Sequence, residues 1–199
     1  MWKGLALTRK KKLKVKIPQR QFIGESTELN KQIRQTVETE INNMEELYIA
    51  ILKRIENEMP EIAYIDEDYG QLEGMNSENE DFYPVTFPCV LVGNTEADWK
   101  DIGLGTQAGE ITLTVRLGID CYHDTHIGSG TTGRIKERME MAGKLYRTLQ
   151  NFQFCRNMDE LVRVKSRDYT LPGNIKVYEF VFSFSYRDES ALLDSRHRP

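Results

Sequence analysis

Four residues able to bind a metal or move a proton sit together in CYHDTH: Cys121, His123, Asp124 and His126. Thiolate, imidazole and carboxylate make up the ligand set of zinc and other transition metals. The spacing argues against a catalytic centre. Cys121 continues an alternating apolar strand pattern, and the two histidines flank an aspartate in a turn instead of lying one helical turn apart. The plainer reading is a polar loop leaving a sheet. A second candidate is GSGTTGR, residues 128–134, a glycine-rich turn feeding a helix. Such turns cradle phosphate with backbone N–H groups. This one lacks the Lys–Ser/Thr ending of a P-loop, so Thr131 and Thr132 read as helix caps. The carboxylate pairs Asp66/Asp68 and Glu78/Glu80 do not follow the spacing of a calcium loop. No catalytic, cofactor or metal site emerges from these clusters.

The elements that would position such residues are organised around Glu110–Tyr122. There Ile111, Leu113, Val115, Leu117, Ile119 and Cys121 alternate with Thr112, Thr114, Arg116, Gly118 and Asp120. A period of two marks a long strand with one buried face. Ile175–Arg187 repeats the pattern, with Tyr178, Phe180, Phe182, Phe184 and Tyr186 on one side. Between them Thr132–Gln150 has helical spacing, with Ile135, Met139, Ala142, Leu145, Tyr146 and Leu149 as its apolar face. A helix laid on a sheet is the expected core.

Earlier in the chain, MEELYIAILKRIENEM places Leu47, Tyr48, Ile51, Leu52, Ile55 and Met59 on one side of a helix, and Pro60 stops it. Short strands are expected at Ile62–Ile65 and Leu161–Lys165, and a turn at Asp168–Asn174. Val85–Val92 is expected at a sheet edge, because Pro84 and Pro88 donate no ladder hydrogen bond. Asp66–Asp81 and Gly93–Ala108, the latter carrying Trp99, read as loops. The order of elements gives an α+β fold: an antiparallel-rich mixed sheet with helices on one face. Residues 1–43 form an N-terminal extension, a basic strand pattern and a thin-striped helix (Leu29, Ile33, Val37, Ile41). The main domain is 44–190, and 191–199 is a tail.

The 199 residues carry a net charge of −4 that conceals a strong polarity. Residues 1–20 hold eight Lys or Arg and no acid, whereas residues 55–99 hold twelve Asp or Glu and no base. The acidic body makes a poor general nucleic-acid binder, since phosphate contacts need cations. Binding through the basic arm around Arg9–Lys12 is the alternative it leaves open, with a metal-dependent enzyme at CYHDTH further behind. Three cysteines, Cys89, Cys121 and Cys155, show no pairing rhythm and fit a reducing cytoplasm. The basic start is not followed by the apolar segment of a signal peptide, and no run approaches a bilayer span.

From Met44 the stretches MEELYIAILKRIENEMPEIAYID, FYPVTFPCVLVGN, GEITLTVRLGIDCY, GRIKERMEMAGKLYRTLQ and KVYEFVFSFSYRD resemble, in order and texture, the tail terminator proteins of long-tailed bacteriophages and prophages. Residues 1–43, with IPQRQFIGES and LNKQIRQTVETEI, resemble the C-terminal end of phage virion morphogenesis (tail-completion) proteins. The resemblance implies an α+β structural protein of the virion, made in the host cytoplasm, neither an enzyme nor a cofactor protein. It implies a homo-oligomeric ring, a hexamer, that meets the tail tube protein on one side and a neck or head-completion protein on the other. DNA would then pass through the ring without being recognised. The interface residues expected on this reading are Thr112, Thr114 and Arg116 on the polar strand face, and Asp66, Glu67, Asp68 and Trp99 in the acidic loops.

Overall fold

A computed structural model of the chain describes residues 43–75 and 84–191. The expected N-terminal strand and helix, the second half of the Asp66–Asp81 segment and the C-terminal tail lie outside the described residues. The elements are α1 (Asn43–Glu58), β1 (Tyr64–Glu67), α2 (Gln71–Gly74), β2 (Cys89–Gly103), β3 (Thr106–Asp120), α3 (Gly133–Leu149), β4 (Val162–Leu171) and β5 (Ile175–Asp188). The strands form one sheet in the order β1-β2-β3-β5-β4. Among the described residues only β1–β2 is parallel; the other three pairings are antiparallel. The fold is α+β, as the alternating patterns require.

Both long helices share one apolar cluster with one face of the sheet. α1 contributes Leu47, Ile51 and Ile55, and α3 contributes Ala142, Leu145 and Leu149. They meet Val90 and Val92 of β2, Ile111 to Ile119 of β3, and Phe180, Phe182, Phe184 and Tyr186 of β5. Each such side chain is worth about 1.5–3 kcal/mol when fully removed from water, and this layer is the main source of stability.

The strand patterns locate the sheet but miss its extent. β2 does not stop at Val92. It runs to Gly103 and turns through Leu104 and Gly105 into β3, so the expected loop Gly93–Ala108 is the far half of a long hairpin. Nor is Val85–Val92 an edge: the strand begins at Cys89, after Pro88, and lies between β1 and β3. A proline placed just before the first ladder residue removes no ladder hydrogen bond. β1 starts at Tyr64, two residues later than expected, and β4 continues to Leu171, leaving only Pro172–Asn174 for the turn into β5.

The helix faces need one correction. α3 buries Ala142, Leu145, Thr148 and Leu149, whereas Ile135 and Met139 are exposed, Met139 at 62%. The docked stripe lies in the second half of the helix, and the first two turns present the remaining apolar residues to solvent. Thr132 makes no side-chain cap; the Thr131 hydroxyl instead donates to the Asp124 carbonyl, tying the glycine-rich turn to itself.

Candidate interaction surface

The face of the sheet away from the helices is covered as well, and this changes the roles of several residues expected to be outward contacts. Cys89, Leu91, Ile175 and Val177 form a second cluster there with Leu72 of α2 and Val85. The chain after β1 crosses this face so closely that a Cβ on Gly93 would lie 2.7 Å from the Asp68 Cβ, which only glycine avoids. Burial on both sides pushes the Cys89 thiol up to about 11, so this thiol is inert at neutral pH.

Arg116 is the hub of that face. Its Nη2 donates to Asp68 Oδ1 at 2.5 Å, and its Nη1 donates to Glu73 Oε1 at 2.5 Å and to the Tyr169 hydroxyl at 3.4 Å. The Arg116 and Asp68 side chains are only 7% and 3% exposed. One sheet rung sets Arg116 opposite Glu179, and the next sets Glu179 opposite Arg167. Arg167 grips Glu179 through two hydrogen bonds of 2.7 and 2.8 Å, the two-pronged geometry that suits guanidinium and carboxylate. Burial disfavours the Arg116 charge, but the bonds to Glu73 and Asp68 outweigh it and hold its pKa above the ordinary arginine value. Burial likewise raises Glu73, and the bond from Arg116 more than offsets it, so Glu73 lies below its ordinary 4.5. Glu179 also lies low, held there by Arg167.

This network pins residues 68–74 to the sheet. Arg116 and Asp68, expected on an outward surface, are locked to one another. Asp66 receives the Tyr64 hydroxyl at 2.6 Å, and Glu67 alone of the acidic trio is exposed without a side-chain partner among the described residues. Thr112 and Thr114 are half-buried on interior strands, opposite Ser183 and Val181 of β5. Trp99 is 43% exposed, but its ring lies over Gly109 and meets Tyr186 edge-on at 6.4 Å. It closes the far end of the helix-side core as much as it faces solvent.

The CYHDTH residues do not converge. The Cys121 thiol donates to the Ile119 carbonyl, while Asp124 and His126 pair at 2.7 Å on an exposed turn. Among the described residues no three His, Cys, Asp or Glu side chains are placed to hold a metal ion. No helix among them is long and apolar enough to cross a membrane.

What the molecule does present is edges and a tip. Beyond Val92, β2 has no neighbour on the side away from β3 among the described residues, and β4 has none beyond β5. Both are highly exposed: Asn94, Glu96, Ala97, Asp98 and Lys100 on one, Arg163, Val164, Lys165 and Arg167 on the other. At the hairpin tip, Ile102 and Leu104 are exposed apolar side chains. Sequence reasoning missed β4 as an edge and missed Glu73, Glu179, Arg167 and Tyr169 as partners of Arg116. The single charged residue at Glu179, inside VYEFVF, was the available signal.

No family model matches the chain, and no curated protein matches it. Among solved structures it is similar to a chain described as "Virion of native gene transfer agent (GTA) particle". The TM-score is 0.39 at 7% identity, covering 69% of this chain and 84% of that one. A likeness this slight carries no argument about what the chain does.

Proposed function

We propose that the chain is a non-enzymatic morphogenesis protein of a tailed phage or prophage. In this reading it is a tail terminator or neck component whose copies close into a six-fold ring between tail tube and head. The observation that carries the reading is a sheet with two unlike strand edges that no described residue pairs with, set beside the sequence resemblance from Met44 onward. Exposed edges are normally blunted or covered in monomers, because they template pairing with another chain. Surfaces of unlike kind on one molecule join head to tail, and such joints give rings where the rotation between copies closes.

Contacts with the tail tube fall to the hairpin tip, where Ile102 and Leu104 stand clear of the core, and to the exposed Glu67. The buried Asp68 takes no part. Purified full-length protein, alone and mixed with isolated tail tubes, tests this by electron microscopy. Discrete rings that seat on tube ends are expected. Rings that never bind tubes would overturn the tail assignment, and Ile102→Ser with Leu104→Ser is expected to weaken seating while leaving the ring intact.

A further inference from the structure

The two open edges differ in charge in a way that specifies how copies meet. On β2, Glu96 lies on the rung of Thr112 and Ser183, and Asp98 on the rung of Glu110 and Ser185. On β4, Lys165 lies on the rung of Val181, and Arg167 on that of Glu179. Side chains on one strand alternate between faces, and directly paired residues share a face. These rungs therefore put Glu96, Asp98, Lys165 and Arg167 all on the face away from the helices. Glu96, Asp98 and Lys165 form no ion pair among the described residues, and the Arg167 side chain is more than half exposed. The open stretches match in length, ten residues in β4 and the ten of β2 from Asn94 to Gly103.

Strand direction agrees. β2 runs opposite to β3, β3 opposite to β5, and β5 opposite to β4, so β2 and β4 are themselves opposed. A second copy continuing the sheet in the same orientation would lay its β2 antiparallel to β4 of the first, the geometry of the stronger ladder.

We propose that the open edge of β2 in one copy pairs with β4 of the next, Glu96 and Asp98 meeting Lys165 and Arg167 on the shared polar face. This rests on the ring reading and names its joint. A two-fold joint of β4 with β4 centred on Ser166 would set Lys165 and Arg167 against their own copies, and β2 with β2 centred on Ala97 would set Glu96 and Asp98 against theirs. Like charges across a contact suppress that partner choice. Each copy owns one acidic and one basic open stretch, so the joint is head-to-tail and uses both once the ring closes.

Charge reversal on each edge tests the joint. The full-length Glu96→Lys/Asp98→Lys and Val162→Glu/Lys165→Glu variants alter exposed positions on opposite edges. Each alone is expected to raise the half-association concentration by about tenfold or more, the size of rim ion pairs turned repulsive. An equimolar mixture of the two is expected to recover wild-type association, because each reversed edge then meets its complement. Sedimentation over a concentration series reads both, and circular dichroism confirms the folded state. If a variant fails to fold, the wild-type protein supplies the answer: its association must weaken with added salt. Rings that ignore both salt and charge reversal would overturn this joint while leaving the ring reading standing. A wild-type chain monomeric at every concentration would overturn both.

Discussion

The near and far halves of the β2–β3 hairpin are built from the same two paired strands, yet they live in different environments. In the near half, Cys89–Gly93 and Val115–Ile119 are buried on both faces, under the long helices on one side and residues 68–74 on the other. In the far half, nearly all of β2 from Asn94 to Gly103 is exposed, while Trp99 folds back onto the core and Thr95 bonds the Tyr48 hydroxyl of α1. The difference shows that cover, not strand pattern, decides whether a residue serves the fold or the surface. Arg116 and Asp98 are both charged residues on the same sheet face. One is a buried hub and the other a free edge charge, because only the first lies beneath α2.

The comparison breaks most sharply at Val115. Val115→Asp places an unpaired charge among Leu113, Leu117 and Phe180, and a loss of about 4 kcal/mol or more is expected in denaturant unfolding. A variant as stable as the wild type would mean that the near half is not the core. Arg116→Met comes next, at about 2–3 kcal/mol, since it strands the buried Asp68 while the half-exposed Glu73 turns to water. Adding Asp68→Leu to it is expected to recover part of the loss, because replacing both partners removes the uncompensated charge.

Acid probes the same network. The folded-state values of Glu73 and Glu179 lie below the ordinary 4.5, so both favour the folded state above that pH. Their contribution is lost as pH falls through the folded values, when the native state must take up protons. Melting temperature is therefore expected to drop progressively below about pH 4.5, and less steeply in Arg116→Met with Arg167→Met. Parallel acid profiles for the wild type and that double variant would remove the network from the account. Trp99→Ala is the mildest change, at about 1 kcal/mol or less, since one edge-on aromatic contact and partial burial are lost at an exposed end.

Much of this was legible from residue patterns. Leu47, Ile51 and Ile55 on α1, Ile111 to Ile119 of the β3 stripe and the aromatic stripe of β5 face the core as their periods require, whereas Cys121, the sixth expected position, falls past the end of β3. What escaped follows from what a period measures. Alternation reports side-chain burial, so polar β2 beyond Asn94 looked like a loop although its backbone pairs with β3 as far as Gly103. The acidic run from Asp66 looked too polar to pack, yet its Asp68 and Glu73 are bound by Arg116, a partner more than forty positions away that only the tertiary structure reveals. Ile135 and Met139 carry helical spacing as clearly as Ala142, but where the sheet beneath α3 begins is a property of the tertiary structure. The surface was the least legible part, because an open edge is a fact about missing neighbours.

The most direct measurement of the central claim is the mass of the intact full-length protein in solution, by native mass spectrometry and sedimentation across a wide concentration range. The account predicts one discrete closed species, about six times the 23.1 kDa chain, in equilibrium with monomer and weakened by salt. A strict monomer at every concentration, or an open-ended distribution with no closed species, would contradict it.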